Sequence, residues 1–214
     1  KEWHPSVSLE NIASVIPPNG KCLIIGCGNS NLPDAILKQR YRTPPSSLVL
    51  LDTSPTCLNQ LRERHERMED SIAKKSIEVD YVCGDVTKLS NYFGVDNDVI
   101  DGHETVANSN NGKKEESFDM IIDKGLTDAL LCGEGWDGPL ENLLYESSKV
   151  LSMETGQYLL ISYNLPSSTK RFLVDVGDKV GLKWDFDYDL VTSTSYDGVS
   201  VAMARKTAPT ATIS

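Results

Sequence analysis

The chain is expected to fold as an α/β, Rossmann-like doubly wound sheet, mostly parallel, ending in a C-terminal antiparallel β-hairpin. Three observations predict this. Strand-like apolar runs alternate with amphipathic, helix-like runs through most of the 214 residues, the mark of parallel strands joined by helical crossovers. Several of those runs stop on a Gly or an Asp, where such sheets bind ligands. The last stretch then changes to two β-like runs around Ser195-Tyr196-Asp197-Gly198, which supplies turn chemistry.

Cys22–Ile25 is the first apolar run and reads as a buried strand. It stops on Gly26-Cys27-Gly28-Asn29-Ser30, and a helix-like pattern follows near Leu32–Arg40. Glycine lacks a Cβ, so this turn can be tight and can bring its backbone close to a ligand. The following helix aims its unpaired N–H groups at whatever occupies the turn. Leu48–Asp52 is the second strand and ends on an acid, with Thr53 next and an amphipathic stretch near Pro55–Glu69. Glu78–Cys83 runs into Gly84-Asp85-Val86, and Phe118–Asp123 into Lys124-Gly125. Tyr158–Ser162 is the fifth strand, with helices near Pro139–Leu151 and Thr169–Val176. Leu182–Leu190 and Val199–Arg205 form the hairpin. Gly94 to Ser117 is rich in Asn, Asp, Gly and Glu and is expected to be a mobile surface insertion. Residues 1–206 then make a single domain, with 207–214 as a flexible tail.

Composition narrows the function classes. No apolar stretch approaches the ~20 residues that cross a bilayer, and Lys1 to Gly20 holds three prolines without a long apolar core, so no membrane and no secretory leader are expected. The five cysteines (Cys22, Cys27, Cys57, Cys83, Cys132) are scattered and never in C-x-x-C spacing. That argues for a reducing, cytoplasmic compartment and against a disulfide framework or a zinc site. His4, His65 and His103 lie far apart and suggest no metal. The net charge is −10, and the basic clusters at Arg62 to Arg67 and Lys74-Lys75 are short and mixed with acids, so no nucleic-acid partner is expected. An acidic surface suits a basic protein substrate, although charge also serves solubility alone.

The strand ends carry the chemistry. A dinucleotide fingerprint G-x-G-x-x-G would place its third glycine where Asn31 stands. That substitution favours an adenosine ligand without a pyrophosphate, such as S-adenosylmethionine. Asp52 stands where a carboxylate accepts from both ribose hydroxyls. Its alternative is a helix-terminal role before Pro55. Asp85 can accept from the adenine amine while Val86 packs on the ring, or it can cap a short helix at Thr87–Phe93. Asp123, Lys124 and Gly125 lie beside the expected reactive end of the cofactor. Cys27 suits the turn through its small size.

These four blocks, in this order, resemble a class I (seven-β-strand) S-adenosylmethionine-dependent methyltransferase. More narrowly, Gly26-Cys27-Gly28-Asn29-Ser30 with Asp123-Lys124-Gly125 and Asp128-Ala129-Leu130 is similar to the methyltransferase-like group that includes the elongation factor 1-alpha lysine methyltransferases, which carries G-C-G-N-S and D-K-G-T-L-D-A. Here the middle pair is inverted, as Leu126-Thr127. Glu2-Trp3-His4 resembles the group's E-W-Y segment, with His4 in place of Tyr, which implies that Trp3 helps hold the cofactor. Ile161-Ser162-Tyr163-Asn164-Leu165-Pro166 is similar to its I-S-F-x-x-P segment. The group usually has more chain ahead of E-W-Y, including a segment that folds over the cofactor; its absence here, in a sequence that opens without Met, is consistent with a fragment.

The resemblance implies methyl transfer from S-adenosylmethionine, without a metal, to a protein lysine, with a translation elongation factor as the kind of partner. A small-molecule acceptor is the runner-up. An NAD(P)-binding oxidoreductase and a noncatalytic binding domain are the other classes weighed. Asp123 and Asp128 are the candidate catalytic acids, nearest the expected methyl, and Asp123 could instead contact the cofactor's amino group. Lys124 is expected to pair with a nearby acid or steady the turn. Trp136 either walls the substrate pocket or anchors a loop. Tyr163 and Asn164 either line the acceptor site or only end a strand.

Overall fold

The computed structural model describes residues 4, 6–39, 43–68, 77–94, 117–163, 165–190 and 198–207. Its strands are β1 (Lys21–Ile25), β2 (Ser47–Asp52), β3 (Glu78–Cys83), β4 (Met120–Lys124), β5 (Gln157–Tyr163), β6 (Leu182–Asp185) and β7 (Val199–Lys206). Its helices are α1 (Leu9–Ser14), α2 (Leu32–Lys38), α3 (Pro55–Glu66), α4 (Leu89–Phe93), α5 (Leu126–Leu131), α6 (Asp137–Val150) and α7 (Ser167–Val180), with a 3₁₀ turn at Val86–Lys88.

The seven strands form one sheet in the order β3-β2-β1-β4-β5-β7-β6. The pairs from β3 through β5 are parallel, and β7 runs antiparallel to both β5 and β6. The order in which the chain adds strands reverses between β1 and β4: β2 and β3 lie to one side, β5 to the other. Such a reversal leaves a crevice at the carboxyl ends of the strands. Register places Ile25 beside Asp123 and Leu51, and Asp52 beside Cys83, so the four candidate strand ends share one edge.

Period-two alternation explains why both faces are covered. Cys22 and Ile24 of β1 point into one layer with Ile12 of α1, Ile36 of α2 and Leu58 and Leu61 of α3. Leu23 and Ile25 point into the other, with Phe93 of α4, Leu143 of α6 and Leu173 of α7. Local signals set the helix starts. Ser54 Oγ accepts from Cys57 N at 3.3 Å and Pro55 opens α3, while Ser8 Oγ caps α1 through Asn11 N.

The strands fall where the apolar runs predict, with shifts at the ends. β4 starts at Met120 rather than Phe118, because Phe118 bridges to Leu151 and the Asp119 carboxylate takes Lys21 N–H at 2.9 Å. β6 stops at Asp185 rather than Leu190, where Asp185 Oδ1 turns back to accept from Asp187 N. Two short helices, α1 and α5, are found where no helix is expected. Residues 95–116 of the expected insertion, 195–197 of the hairpin turn and 208–214 of the expected tail lie outside the described residues, as do Lys74, Lys75 and His103.

Candidate functional site

At the crevice the β1–α2 turn meets the end of β4. Gly26, Cys27, Gly28, Asn29, Ser30, Asp52, Lys124 and Gly125 line one cavity of about 260 Å³, together with Leu126 and Ala129 of α5. The turn needs its glycines. Gly26 and Gly28 sit at φ of +57° and +51°, a region that L side chains rarely adopt. A Cβ on Gly26 would lie 2.9 Å from the Leu126 side chain, whereas one on Gly28 would meet nothing within 4 Å. The floor of the cavity is therefore bare backbone with open volume above it, as a ligand cradle requires. Gly125, at φ +92°, turns β4 into α5.

Asp52 braces this turn. Its Oδ2 accepts from Gly28 N and its Oδ1 from Ser54 N, both at 2.8 Å. A carboxylate offers about four lone-pair sites, so two remain for ribose hydroxyls, and its helix-terminal role through Ser54 coexists with them. Gly84 N donates to the Asp52 carbonyl at 3.0 Å, which ties the third strand end to the second. Asp85 takes the capping role: its Oδ1 accepts from Thr87 N and Thr87 Oγ1, and its Oδ2 is 3.9 Å from Lys88 Nζ. The Thr87 backbone bond holds its carboxyl below the ordinary range, against a smaller upward push from burial. Val86 is buried among the apolar residues of that face and Thr53 is exposed. Neither they nor Gly84 and Asp85 line the cavity.

Asp123 departs from its expected role. Its side chain is wholly buried and is not part of the cavity wall. It accepts from Leu126 N at 2.9 Å, Thr127 N at 3.2 Å, Thr127 Oγ1 at 2.6 Å and Tyr158 Oη at 3.1 Å. Burial pushes its carboxyl up to about 6, against the pull of those donors. Its oxygens face Leu126, Thr127 and Tyr158 rather than the cavity. Asp123 instead caps α5 and fixes how Lys124-Gly125 leaves β4. Lys124 is buried at the cavity wall.

Asp128 draws together three separate segments of the chain. It meets His4 Nε2 at 2.9 Å and accepts from Ser162 Oγ and from Tyr163 N at 3.1 Å. Burial alone would raise its carboxyl, but the His4, Ser162 and Tyr163 bonds outweigh that and keep it below the ordinary range. The His4 ring lies 4.2 Å from the Tyr163 ring, and Tyr163 is 48% exposed. Trp136 anchors its loop by packing edge-on against Phe172 of α7 at 5.1 Å. Trp3 and Asn164 lie outside the described residues.

Comparison with solved structures settles the fold. The TehB-like SAM-dependent methyltransferase from Corynebacterium glutamicum superposes with a TM-score of 0.55 at 17% identity, covering 94% of this chain and 88% of that one. The YcgJ protein of Bacillus subtilis gives 0.59 at 10% identity, covering 94% and 98%. An rRNA methylase from Streptococcus thermophilus gives 0.51 at 10%, covering 94% of each. This is the class I S-adenosylmethionine-dependent methyltransferase fold. No protein-family model matches the chain. Among curated proteins, the eEF1A lysine and N-terminal methyltransferases of Bos taurus and Homo sapiens are each 26% identical over 149 residues, 69% of this chain. The match spans only 16% of either relative's length. Among the described residues no group of three or more His, Cys, Asp or Glu could hold a metal, and no helix is long and apolar enough to cross a membrane.

Three features of this methyltransferase-fold site escape sequence reading. Leu126 and Ala129 supply a cavity wall from a helix too short to show a period. Tyr92 of α4 packs its ring over Gly84, so that a Cβ there would come within 2.7 Å, and its hydroxyl accepts from Asp85 N at 3.1 Å. Arg64 of α3 reaches the β1–α2 turn from behind. The sequence carried no signal that singled out Tyr92 as the neighbour of Gly84.

Proposed function

We propose that this chain is an S-adenosylmethionine-dependent methyltransferase whose acceptor is a protein lysine amine, in an elongation-factor-type substrate and a reducing, cytoplasmic setting. The observation that carries the cofactor assignment is the single cavity where Gly26–Ser30, Asp52 and Lys124-Gly125 converge. A bare glycine floor fits the amino-acid portion, and the two remaining lone-pair sites of Asp52 fit a ribose. Adenine then falls toward Asp85 and Val86, and Trp3 is assigned to the same cofactor through the E-W-Y resemblance. The protein-lysine acceptor is supported by the 26% identity to the eEF1A methyltransferases and by the net charge of −10, which suits a basic partner.

When bound, S-adenosylmethionine supplies a methyl already activated by its sulfonium, so the protein's work is alignment. Asp123 does this at one remove, by fixing the β4–α5 turn at the edge of the cavity. A lysine must approach as the neutral amine, and its unperturbed pKa of ~10.4 requires a dry environment or an acceptor. Asp128 is ionised and stands at the acceptor side, but three donors already occupy it. We assign it to holding Tyr163 in place, with Tyr163 and Asn164 as the acceptor-contacting pair and Trp136 as the base of the adjoining loop.

A thermal-shift series tests the cofactor, because a ligand that binds only the folded state stabilises it. S-adenosylhomocysteine should raise the melting temperature and NAD should not; the reverse pattern overturns the assignment. Labelled methyl donor added to a cell extract tests the acceptor. Label at lysine in a protein supports it, and label confined to small molecules supports a small-molecule acceptor instead.

A further inference from the structure

The β1–α2 turn is gripped from two sides by one neighbouring unit. In front, Asp52 at the end of β2 takes Gly28 N–H. Behind, Arg64 near the end of α3 donates from Nη2 to Ser30 O at 2.6 Å and from Nη1 to Asn29 O at 3.3 Å. Its Nε is 3.0 Å and 2.9 Å from the two Asp34 oxygens. We infer that Arg64 is a positioning residue for S-adenosylmethionine binding, locking the Asn29 and Ser30 peptides so that the cavity-facing turn is formed before the ligand arrives.

The geometry explains why an arginine stands there. A guanidinium presents five donors in a rigid plane, so one side chain can face a carboxylate with one edge and two carbonyls with another. In a trans peptide the carbonyl and the following N–H point opposite ways. Gripping Asn29 O and Ser30 O therefore sets the planes that carry the Ser30 and Asn31 amides. The grip is itself held in register. Asp34 Oδ1 also meets His65 Nε2 at 3.0 Å, and His65 Nδ1 meets Tyr81 Oη at 2.6 Å. A neutral imidazole with its proton on Nε2 satisfies both contacts, the tyrosine hydroxyl donating to Nδ1. Arg62 closes the far end, its guanidinium 4.9 Å from the Tyr81 ring centre. A line of directed contacts thus runs from β3 through α3 and α2 to the turn. About a third of the Arg64 side chain is exposed, so its removal opens no core cavity. What it loses is order in the turn, and a binding-competent fraction lowered tenfold raises an apparent Kd about tenfold.

The inference rests on the cofactor assignment above, and its test separates the two. S-adenosylhomocysteine affinity is measured by calorimetry for the parent, Arg64→Met, which keeps an apolar stem of similar length, and Arg64→Lys, which keeps charge without the fork. Amide hydrogen exchange across Cys27 to Asn31 is measured on the same unliganded proteins. The expected result is an affinity loss of about tenfold or more for Arg64→Met and a smaller loss for Arg64→Lys. Turn amides should exchange faster in the same rank order. The unliganded melting temperature should move by less than about 4 °C. Affinity within about twofold of the parent, or unchanged turn exchange, overturns the inference. A parent that binds no S-adenosylhomocysteine sinks the cofactor assignment, while exchange in the turn still decides whether Arg64 holds it.

Discussion

Asp123 offers a perturbation whose sign and size follow from its surroundings. Its carboxyl, ordinarily near 3.8, is pushed up to about 6 by complete burial. The folded pKa thus lies above the unfolded one. Between the two values the native state binds more protons, so stability falls as pH rises through that window and is flat above it. At about 1.36 kcal/mol per pKa unit, ionised Asp123 costs the native state about 3 kcal/mol relative to its protonated form. Asparagine removes this dependence and can keep the contacts. Its carbonyl accepts from Leu126 N and Thr127 N, and its amide donates to Thr127 Oγ1 and Tyr158 Oη once those hydroxyls rotate. The stability of the parent minus that of Asp123→Asn should fall by about 1.4 kcal/mol between about pH 5 and about pH 8. With a urea slope of about 2 kcal/mol per molar, the gap in unfolding midpoint closes or widens by about 0.7 M over that range. Asp123→Ala instead strands four donors at about 1–3 kcal/mol each, a large part of the 5–15 kcal/mol typical of a whole domain, and should barely fold. Urea melts of both variants across the pH range provide the check. A flat difference curve, or one that rises with pH, would refute the enclosed-acid reasoning and return Asp123 to an accessible role.

Other expected outcomes probe the rest of the site. Gly26→Ala strains a residue at φ +57° and drives a Cβ to 2.9 Å from the Leu126 Cβ, so S-adenosylhomocysteine affinity should fall more than about tenfold; adding Leu126→Ala should recover little, because alanine keeps that Cβ and the backbone strain stays. Gly84→Ala meets the Tyr92 ring at 2.7 Å and should weaken cofactor binding, whereas Tyr92→Phe, which removes only the partner of Asp85 N, should cost about 1–3 kcal/mol of stability in a urea melt. Gly177→Ala would place a Cβ 2.4 Å from the Leu182 carbonyl oxygen, a backbone atom that cannot step aside, and should destabilise by about 1–3 kcal/mol or more without changing cofactor affinity at equal folded fraction.

The strand ends proposed to hold the cofactor were legible because their determinants are local. A parallel strand buried on both faces must be apolar throughout, so Cys22–Ile25 and Leu48–Asp52 declare themselves, and the residues that end them stand next in sequence. The two glycines and Asp52 then follow from backbone sterics and one carboxylate. Asp123 was placed correctly at its strand end but given the wrong neighbours. Whether a strand-end acid faces the crevice or turns into the next helix depends on where Thr127 and Tyr158 lie, and Tyr158 is 35 residues away. Arg64 and Tyr92 were hidden for the same reason. Each acts on a backbone group of another segment, and neither has a local pattern that sets it apart from an ordinary helix-surface or core residue.

The proposed acceptor side shows this limit in its strongest form. His4, Asp128, Ser162 and Tyr163 come together from the chain's beginning, the first turns of α5 and the end of β5. No two of these segments are neighbours in sequence. Trp136 and Phe172 likewise meet across α6 and α7. A methyl donor has one shape, so its cradle can be built from one turn and two strand ends. An acceptor differs from one enzyme of this fold to the next, and loops and helix ends must be brought in from elsewhere to suit it. Asp128 is the joint of that assembly here. It takes His4 on one side and the β5 end on the other, so this corner is assembled by the fold rather than by any one motif. The inversion to Leu126-Thr127 falls at this joint. It puts the Leu126 side chain against Gly26 and the Thr127 hydroxyl on Asp123, so the two residues tie the start of α5 to the β1–α2 turn and to the end of β4.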